Sequence, residues 1–294
     1  MNTLPRKVIN RVLRNVSDIP YIYNISQLSY QTALEKHKYH LPVVSKNDLN
    51  LIERIKHEGV VITTLEALSI PSTQEMLRAA RNLIPKLPKI DAKKKNEYVV
   101  HASPQQLMKH SAIFFWGLQE RLLNIVENYL GLPVAYHGSY FRRDIANNVQ
   151  RKTRLWHKDV EDPNFIKMII YLHDVNEYGG AFQYIPKKLS RDVCRTLKYK
   201  YGHISDNVIQ KVADSSIWKT CTGSAGTVII ANTGNILHRG KMPVTSDRYT
   251  IFFDYTSRQP KFPFYCQSCL PKENLLTLAE NLPERQRKCV LWQD

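Results

Sequence analysis

With 294 residues, 43% of them hydrophobic, the chain is long enough to bury one sizeable core, and 42 basic against 26 acidic side chains give it a formal net charge of +16. No apolar run approaches the ~18 residues that a membrane-spanning helix needs. Five scattered cysteines, an odd number, argue against a disulfide framework and suit a reducing compartment, so a cytoplasmic location is expected.

Residues 1–46 read as a basic helical extension. In it Val8, Ile9, Val12, Leu13 and Val16 fall on one helical face, with Arg6, Lys7, Arg11 and Arg14 around the other. Three readings suit that pattern: a helix packed on the domain, a membrane-surface helix, and an organelle transit peptide. Asn47 to Ile55 followed by Gly59-Val60-Val61-Ile62 predicts a short helix running through a glycine into a strand. The run Pro71-Ser72-Thr73-Gln74-Glu75 with Met76, Leu77 and Ala80 predicts a helix that ends before Pro85. Leu118, Leu122, Ile125, Val126 and Tyr129, closed by Gly131 and Pro133, predict another. Basic clusters recur at Lys93-Lys94-Lys95, Arg142-Arg143, Arg151-Lys152, Lys187-Lys188 and Arg285-Arg287-Lys288. Each alone reads as a solvated face, but together they imply a positive field that attracts an anion, an acidic protein or nucleic acid.

His157-Lys158-Asp159, then His238, then Arg248 carry the chemistry. On an extended segment residues i and i+2 share a face, so His157 and Asp159 can reach one metal while Lys158 points away. Two imidazoles and a carboxylate on one side of a metal leave the opposite positions open, as in non-haem Fe(II) oxygenases. After the His-x-Asp, Phe165 to Leu172 predicts an apolar strand. Gly179-Gly180 predicts a turn, and Ala181 to Pro186 a second strand stopped by proline. Gly226 to Asn232 predicts a third strand, with His238 just beyond the turn at Thr233-Gly234-Asn235. Arg248 lies ten residues after His238, room for a turn and the next antiparallel strand. Its guanidinium can hold a carboxylate bidentately.

The order His-x-Asp, apolar strand, Gly-Gly-x-Phe-x-x-Ile-Pro, Gly-Thr-Val strand, His and Arg resembles the Fe(II)/2-oxoglutarate dioxygenases of the phytanoyl-CoA dioxygenase-like group, over roughly residues 47 to 258. The resemblance implies a double-stranded β-helix, a cupin-like jelly roll that is mainly β with α additions. Residues 47–294 would form this domain, with N-terminal helices packed on one sheet and a helical lid insertion at about 187–222. It implies that His157, Asp159 and His238 bind Fe(II), that Arg248 holds the C5 carboxylate of 2-oxoglutarate, and that O2 is the third reactant, with succinate and CO2 released. The intact Asp159 favours hydroxylation over halogenation. One departure is that Pro186 is followed by Lys187-Lys188-Leu189-Ser190 where many relatives have Gly-Ser-His.

The cations that flank His157 suggest Arg142 and Arg154, with Trp156, as substrate contacts. They suggest a small anionic substrate, free or on an acidic carrier protein; nucleic acid is the weaker expectation. Two rival readings are a nucleic-acid demethylase with the same metal chemistry and a non-enzymatic jelly-roll binding protein. Cys266-x-x-Cys269 has no second Cys-x-x-Cys to complete a zinc site and reads as structural or free thiols.

Overall fold

The computed structural model describes residues 3–88 and 96–293; the Lys93-Lys94-Lys95 cluster lies outside them. Two helices come first, α1 (Thr3–Ser17) and α2 (Pro20–His37). The chain then enters α3 (Lys46–Glu58), where the Ser45 hydroxyl accepts from the Asp48 N–H at 3.1 Å and caps the first turn. Gly59 ends this helix in the left-handed region at φ 85° and feeds β1 (Val60–Thr64). A Cβ on Gly59 would lie 2.6 Å from Ile236 Cγ2, so glycine is required both for the turn and for the approach.

Helices α4 (Leu65–Leu68), α5 (Thr73–Leu83), α6 (Pro104–Lys109), α7 (Ala112–Trp116) and α8 (Glu120–Leu130) follow, with the short strand β2 (Val99–His101) before α6. The strands β3 (Val134–Asp144), β4 (Ile166–Tyr171), β7 (Thr227–Asn232) and β9 (Arg248–Ser257) join β1 and β2. Among the described residues they form a six-stranded antiparallel sheet in the order β1-β7-β4-β9-β3-β2. A second sheet, β6-β5-β8, is built from β5 (Phe182–Tyr184), β6 (Lys219–Cys221) and β8 (His238–Gly240).

Alternation along the strands sorts the side chains onto two faces. Met168, Ile170, Val228, Ile230, Ile251, Phe253 and Tyr255 pack beneath the helices, against Met76, Phe114, Trp116, Leu122 and Ile125. On the other face Ile169, Tyr171, Ile229 and Ala231 meet Phe182, Cys221 and Ile236 from the side of the small sheet. Two sheets packed face to face with helices on the outer side make the jelly roll. The Arg248 strand shows the expected split, with Ile251, Phe253 and Tyr255 under the helices and Phe252 facing inward.

Three features differ from the sequence expectation. β9 does not pair with β8; the chain crosses from the small sheet to the large one between them, so His238 and Arg248 face each other across the interior. The helical segment between β5 and β6 holds α9 (Lys187–Thr196) and α10 (Asp206–Ile209) and stops before Lys219, because Lys219–Cys221 pairs with β5 as β6. Finally, α1 does not pack on the domain by its apolar face: Val8, Ile9, Val12, Leu13 and Val16 are exposed. No helix of the described residues is long and apolar enough to cross a membrane. All five cysteines are free thiols. After the sheets, α11 (Lys272–Ala279) and α12 (Glu284–Val290) close the chain.

Candidate metal centre

Backbone pairing puts the two histidines side by side. The His157 N–H donates to the His238 carbonyl at 3.0 Å and the His238 N–H returns the bond to His157 at 2.9 Å. Asp159 is set by its own N–H, which donates to the Thr233 carbonyl at 3.0 Å. Side chains at 157 and 159 then share a face, and each imidazole Nε2 lies 3.8 Å from an Asp159 oxygen, Oδ1 for His157 and Oδ2 for His238. Donor atoms of the three residues all fall within 4.8 Å of one another.

The donors also have the right chemistry. His157 Nδ1 sits 2.9 Å from the Leu155 carbonyl and His238 Nδ1 sits 3.3 Å from that of Ile236. A carbonyl only accepts, so Nδ1 carries the hydrogen and Nε2 presents a lone pair inward. Burial, with help from the neighbouring imidazole, lowers His157 to about 3; burial lowers His238 to about 4, so both are neutral at pH 7. Burial alone would raise Asp159, but Lys167 and the two histidines outweigh it and hold the carboxylate well below its usual range. Two neutral imidazoles and one carboxylate fit a divalent iron bound on one face.

Lys167 is the unforeseen member of this centre. Its ammonium donates to Asp159 Oδ2 at 3.0 Å and lies 3.9 Å from Asp254, its cross-strand neighbour. With Oδ2 engaged, Oδ1 is the freer metal donor of Asp159. Burial pushes Asp254 up to about 7 against the pull of Lys167, and one of its oxygens is buried without a partner. A signal existed in the sequence: Lys167 interrupts an apolar run on the same parity as the inward Ile169 and Tyr171.

At the other end of the interior lies Arg248, only 2% exposed. It donates to Asp144 at 2.8 Å and to the Gly180 carbonyl, and its Nε has no partner. Arg142 donates to the same Asp144 carboxylate at 3.0 Å. Two guanidinium groups on one carboxylate leave a single positive charge in excess. Asp144 had no signal beyond sharing a strand face with Arg142. The cavity between the two ends measures about 50 Å³ and is lined by Arg142, Thr153, Ile169, Phe182, Arg248 and Phe252 with the three candidate ligands and Lys167. A wider depression of about 670 Å³, along β1 and α5, lies apart from all of these groups.

The structure does not bring the remaining sequence candidates to this cavity. Arg154 is buried, donating to the carbonyls of Tyr98 at 3.0 Å and Val149 at 2.9 Å, so its charge braces a loop rather than meeting a substrate. Trp156 points to the opposite side from His157, donates to Asp206 at 2.9 Å and stacks under Arg239. Arg143 pairs with Asp247. Of the cations flanking His157, Arg151 and Lys152 remain exposed. Arg239 and Arg258 are spent elsewhere, on Gln183 and Asp206 and on the Val134 carbonyl, whereas Arg248 and Arg142 line the cavity. The segment after Pro186, where the chain departs from the usual loop, starts α9 directly; the Ser190 hydroxyl donates to Ile185 and accepts from Leu237 beside His238.

The loop between α9 and α10 covers the centre. Trp156 and Ile204 exchange backbone hydrogen bonds of 3.0 and 2.7 Å, and the Tyr199 hydroxyl accepts from the Lys158 N–H at 3.2 Å. This brings the His203 ring to 5.2 Å from that of His157.

No protein-family model matches the chain, and no curated protein matches it in sequence. Solved structures do. The apo crystal structure of EctD from S. alaskensis is similar over 78% of this chain and 82% of its own, at 18% identity and a TM-score of 0.51. The epimerase SnoN, crystallised with Fe3+, alpha-ketoglutarate and nogalamycin RO, is similar over 72% of this chain and 84% of its own, at 14% identity and a TM-score of 0.50. This chain shares their fold. EctD has also been crystallised with 2-oxoglutarate and 5-hydroxyectoine; that structure matches at 19% identity and a TM-score of 0.50, over 74% of this chain and 77% of its own. At such identities the likeness carries the fold and no residue roles.

Proposed function

We propose that this chain is an Fe(II)/2-oxoglutarate-dependent oxygenase that oxidises an unactivated carbon of a small molecule. The observation that carries the reading is the convergence of His157, Asp159 and His238 on one cavity that also holds a buried guanidinium, Arg248. When bound, iron with 2-oxoglutarate and O2 supplies the oxidising power and releases succinate and CO2. The protein's share is position and electrostatics. His157 and His238 donate through Nε2 because backbone carbonyls hold their Nδ1 hydrogens. Asp159 donates through Oδ1 while Lys167 keeps Oδ2.

Arg248, with Arg142 beside it on Asp144, meets the distal carboxylate of the co-substrate; among the described residues both guanidinium groups pair with that one carboxylate, which leaves positive charge in excess. Thus Arg142 belongs with the co-substrate rather than the substrate. Phe182, Ile169 and Phe252 line the chamber between the charges and keep water from it. A carboxylate at 159 occupies the position that a halide needs, so the outcome is hydroxylation or a related oxidation. Exposed Arg151 and Lys152, next to the ligand segment, are the remaining support for an anionic substrate.

The test is anaerobic titration of Fe(II)-loaded protein with 2-oxoglutarate, followed by admission of O2. The expected results are a visible charge-transfer band and succinate formation. Iron that binds equally well to the His157→Ala and His238→Ala proteins would overturn the assignment.

A further inference from the structure

Helix α1 is docked inside out. Its polar side faces the body of the protein: Asn10 donates to the Phe264 carbonyl at 3.3 Å, and Arg14 reaches the Lys200 carbonyl at 3.4 Å with its guanidinium 4.4 Å above the Tyr201 ring. The apolar side faces outward. At about 100° per residue, Val8, Ile9, Val12, Leu13 and Val16 span an arc of roughly 140°. Val8 is 59% exposed and Ile9 and Val12 are 55% exposed, although these are residues that water drives inward. In α2, too, no residue is buried; Tyr30 and Leu34 turn toward the body, while Tyr21, Ile25 and Leu28 stay exposed at helical spacing. Scattered apolar side chains on a surface need no account, but an amphipathic helix with its whole apolar face exposed, followed by exposed Tyr21, Ile25 and Leu28, does.

The charge around the stripe says what covers it. Besides Arg14, which is docked on the body, the sequence carries Arg6, Lys7 and Arg11 before the first acidic residue, Asp18. The loop on which α1 rests adds Lys198 and Lys200, with no acid from Leu197 to Ser205. A second copy of the chain would bring another +16 and the same cations against these, so self-association is opposed. An apolar helical face bordered by arginine and lysine is what lies in the plane of an anionic membrane surface, the side chains entering the acyl boundary and the cations meeting the headgroups.

We propose that α1, with the exposed stripe of α2 beside it in sequence, seats this protein on an anionic lipid surface. The proposal is independent of the metal chemistry. It has a consequence for it, because the loop that receives Arg14 also carries Tyr199 and His203 over the metal centre. Seating α1 therefore puts the cover of the site at the lipid boundary.

The full chain would be floated with vesicles of phosphatidylcholine alone and of phosphatidylcholine with about a third phosphatidylglycerol, at low salt and near 0.5 M salt. Binding to the anionic vesicles is expected, with much less to the neutral ones and a several-fold loss at high salt. The double variant Val12→Asp, Val16→Asp should lower partitioning by at least about tenfold, and Arg11→Ala by about fivefold. Both positions of the double variant are exposed, so its melting temperature should equal that of the parent, which shows that the protein remains folded. Absence of flotation at low salt, or equal flotation by the double variant, would overturn the proposal. So would a concentration-dependent dimer in sedimentation that the double variant abolishes, since a second copy would then be the occupant of the face.

Discussion

Asp144→Asn tests the interior at its most charged point. The change keeps the shape of the side chain but removes the carboxylate that accepts from Arg142 at 3.0 Å and from Arg248 at 2.8 Å, at a position only 1% exposed. Buried Arg248 and half-buried Arg142 are then left facing each other with an amide oxygen that can accept from one of them. Removing one partner of a buried ion pair costs about 3–5 kcal/mol, and the retained amide bond puts this case near 3. For a chain of this size ~2 °C accompanies each kcal/mol, so melting should fall by about 6 °C.

The pH dependence has a definite sign. Burial alone would raise Asp144, but Arg142 and Arg248 outweigh it and the folded pKa is depressed. The contribution is therefore fully present above the unfolded value of about 3.9 and fades as pH falls below it, so the gap between the two proteins should be constant from pH 7 to about 5 and narrow on further acidification. The site's excess charge rises in the variant, so 2-oxoglutarate should bind the metal-loaded variant no more weakly than the parent. Thermal melts over that pH range, with and without metal and 2-oxoglutarate, check both parts. A variant that melts within about 1 °C of the parent at pH 7 would refute the claim that Asp144 holds the two arginines.

Four further outcomes are expected. His157→Ala, Asp159→Ala and His238→Ala should each abolish succinate formation and weaken iron binding by calorimetry at least about tenfold while leaving the fold intact, because three donors act as a unit. Arg248→Lys keeps the charge but loses the planar fork, so the apparent affinity for 2-oxoglutarate should fall at least about tenfold, in line with the ~1.5–3 kcal/mol of a charge-assisted contact; an unaltered titration would assign that carboxylate to Arg142. Lys167→Met leaves Asp159 and Asp254 as buried carboxylates without their cation, so the metal-free protein should lose about 3 kcal/mol of stability, with added divalent metal restoring much of it. Because His238 falls from 6.5 unfolded to about 4 folded, it binds fewer protons in the native state over that interval. His238 by itself should contribute a loss of roughly 3 kcal/mol as pH falls from 6.5 to 4, on top of that from His157, so His238→Gln should make the fall in urea midpoint smaller without abolishing it.

Much of the candidate metal site was legible because it depends on local rules. An i, i+2 pair on extended backbone shares a face, which places His157 with Asp159, and β-branched or aromatic runs between turn residues marked β4, β5 and β7. The same parity rule would have excluded Trp156, which neighbours His157 and so points away. For Arg154 the sequence shows a charge but not the carbonyls that the fold turns toward it. Asp144 and Lys167 became part of the site only when β3, β9 and β4 were laid side by side, in the register that sets Asp144 opposite Arg248 and Lys167 opposite Asp254. The bulge at Tyr136/Gly138, with Gly138 at φ 103° and no room for a Cβ against Cys269 Sγ, belongs to that register and has no local sequence signature.

From residue type and period the sequence by itself marked the apolar strands, the His157–Asp159 pair on one face and the amphipathic character of α1, while the jelly roll and the full ligand set came from the resemblance to a known family. Tertiary structure alone decided which cations face inward, which carboxylates neutralise them and which side of α1 meets the body. Periodicity says only which residues share a face; what that face touches depends on strands and loops contributed from far along the chain.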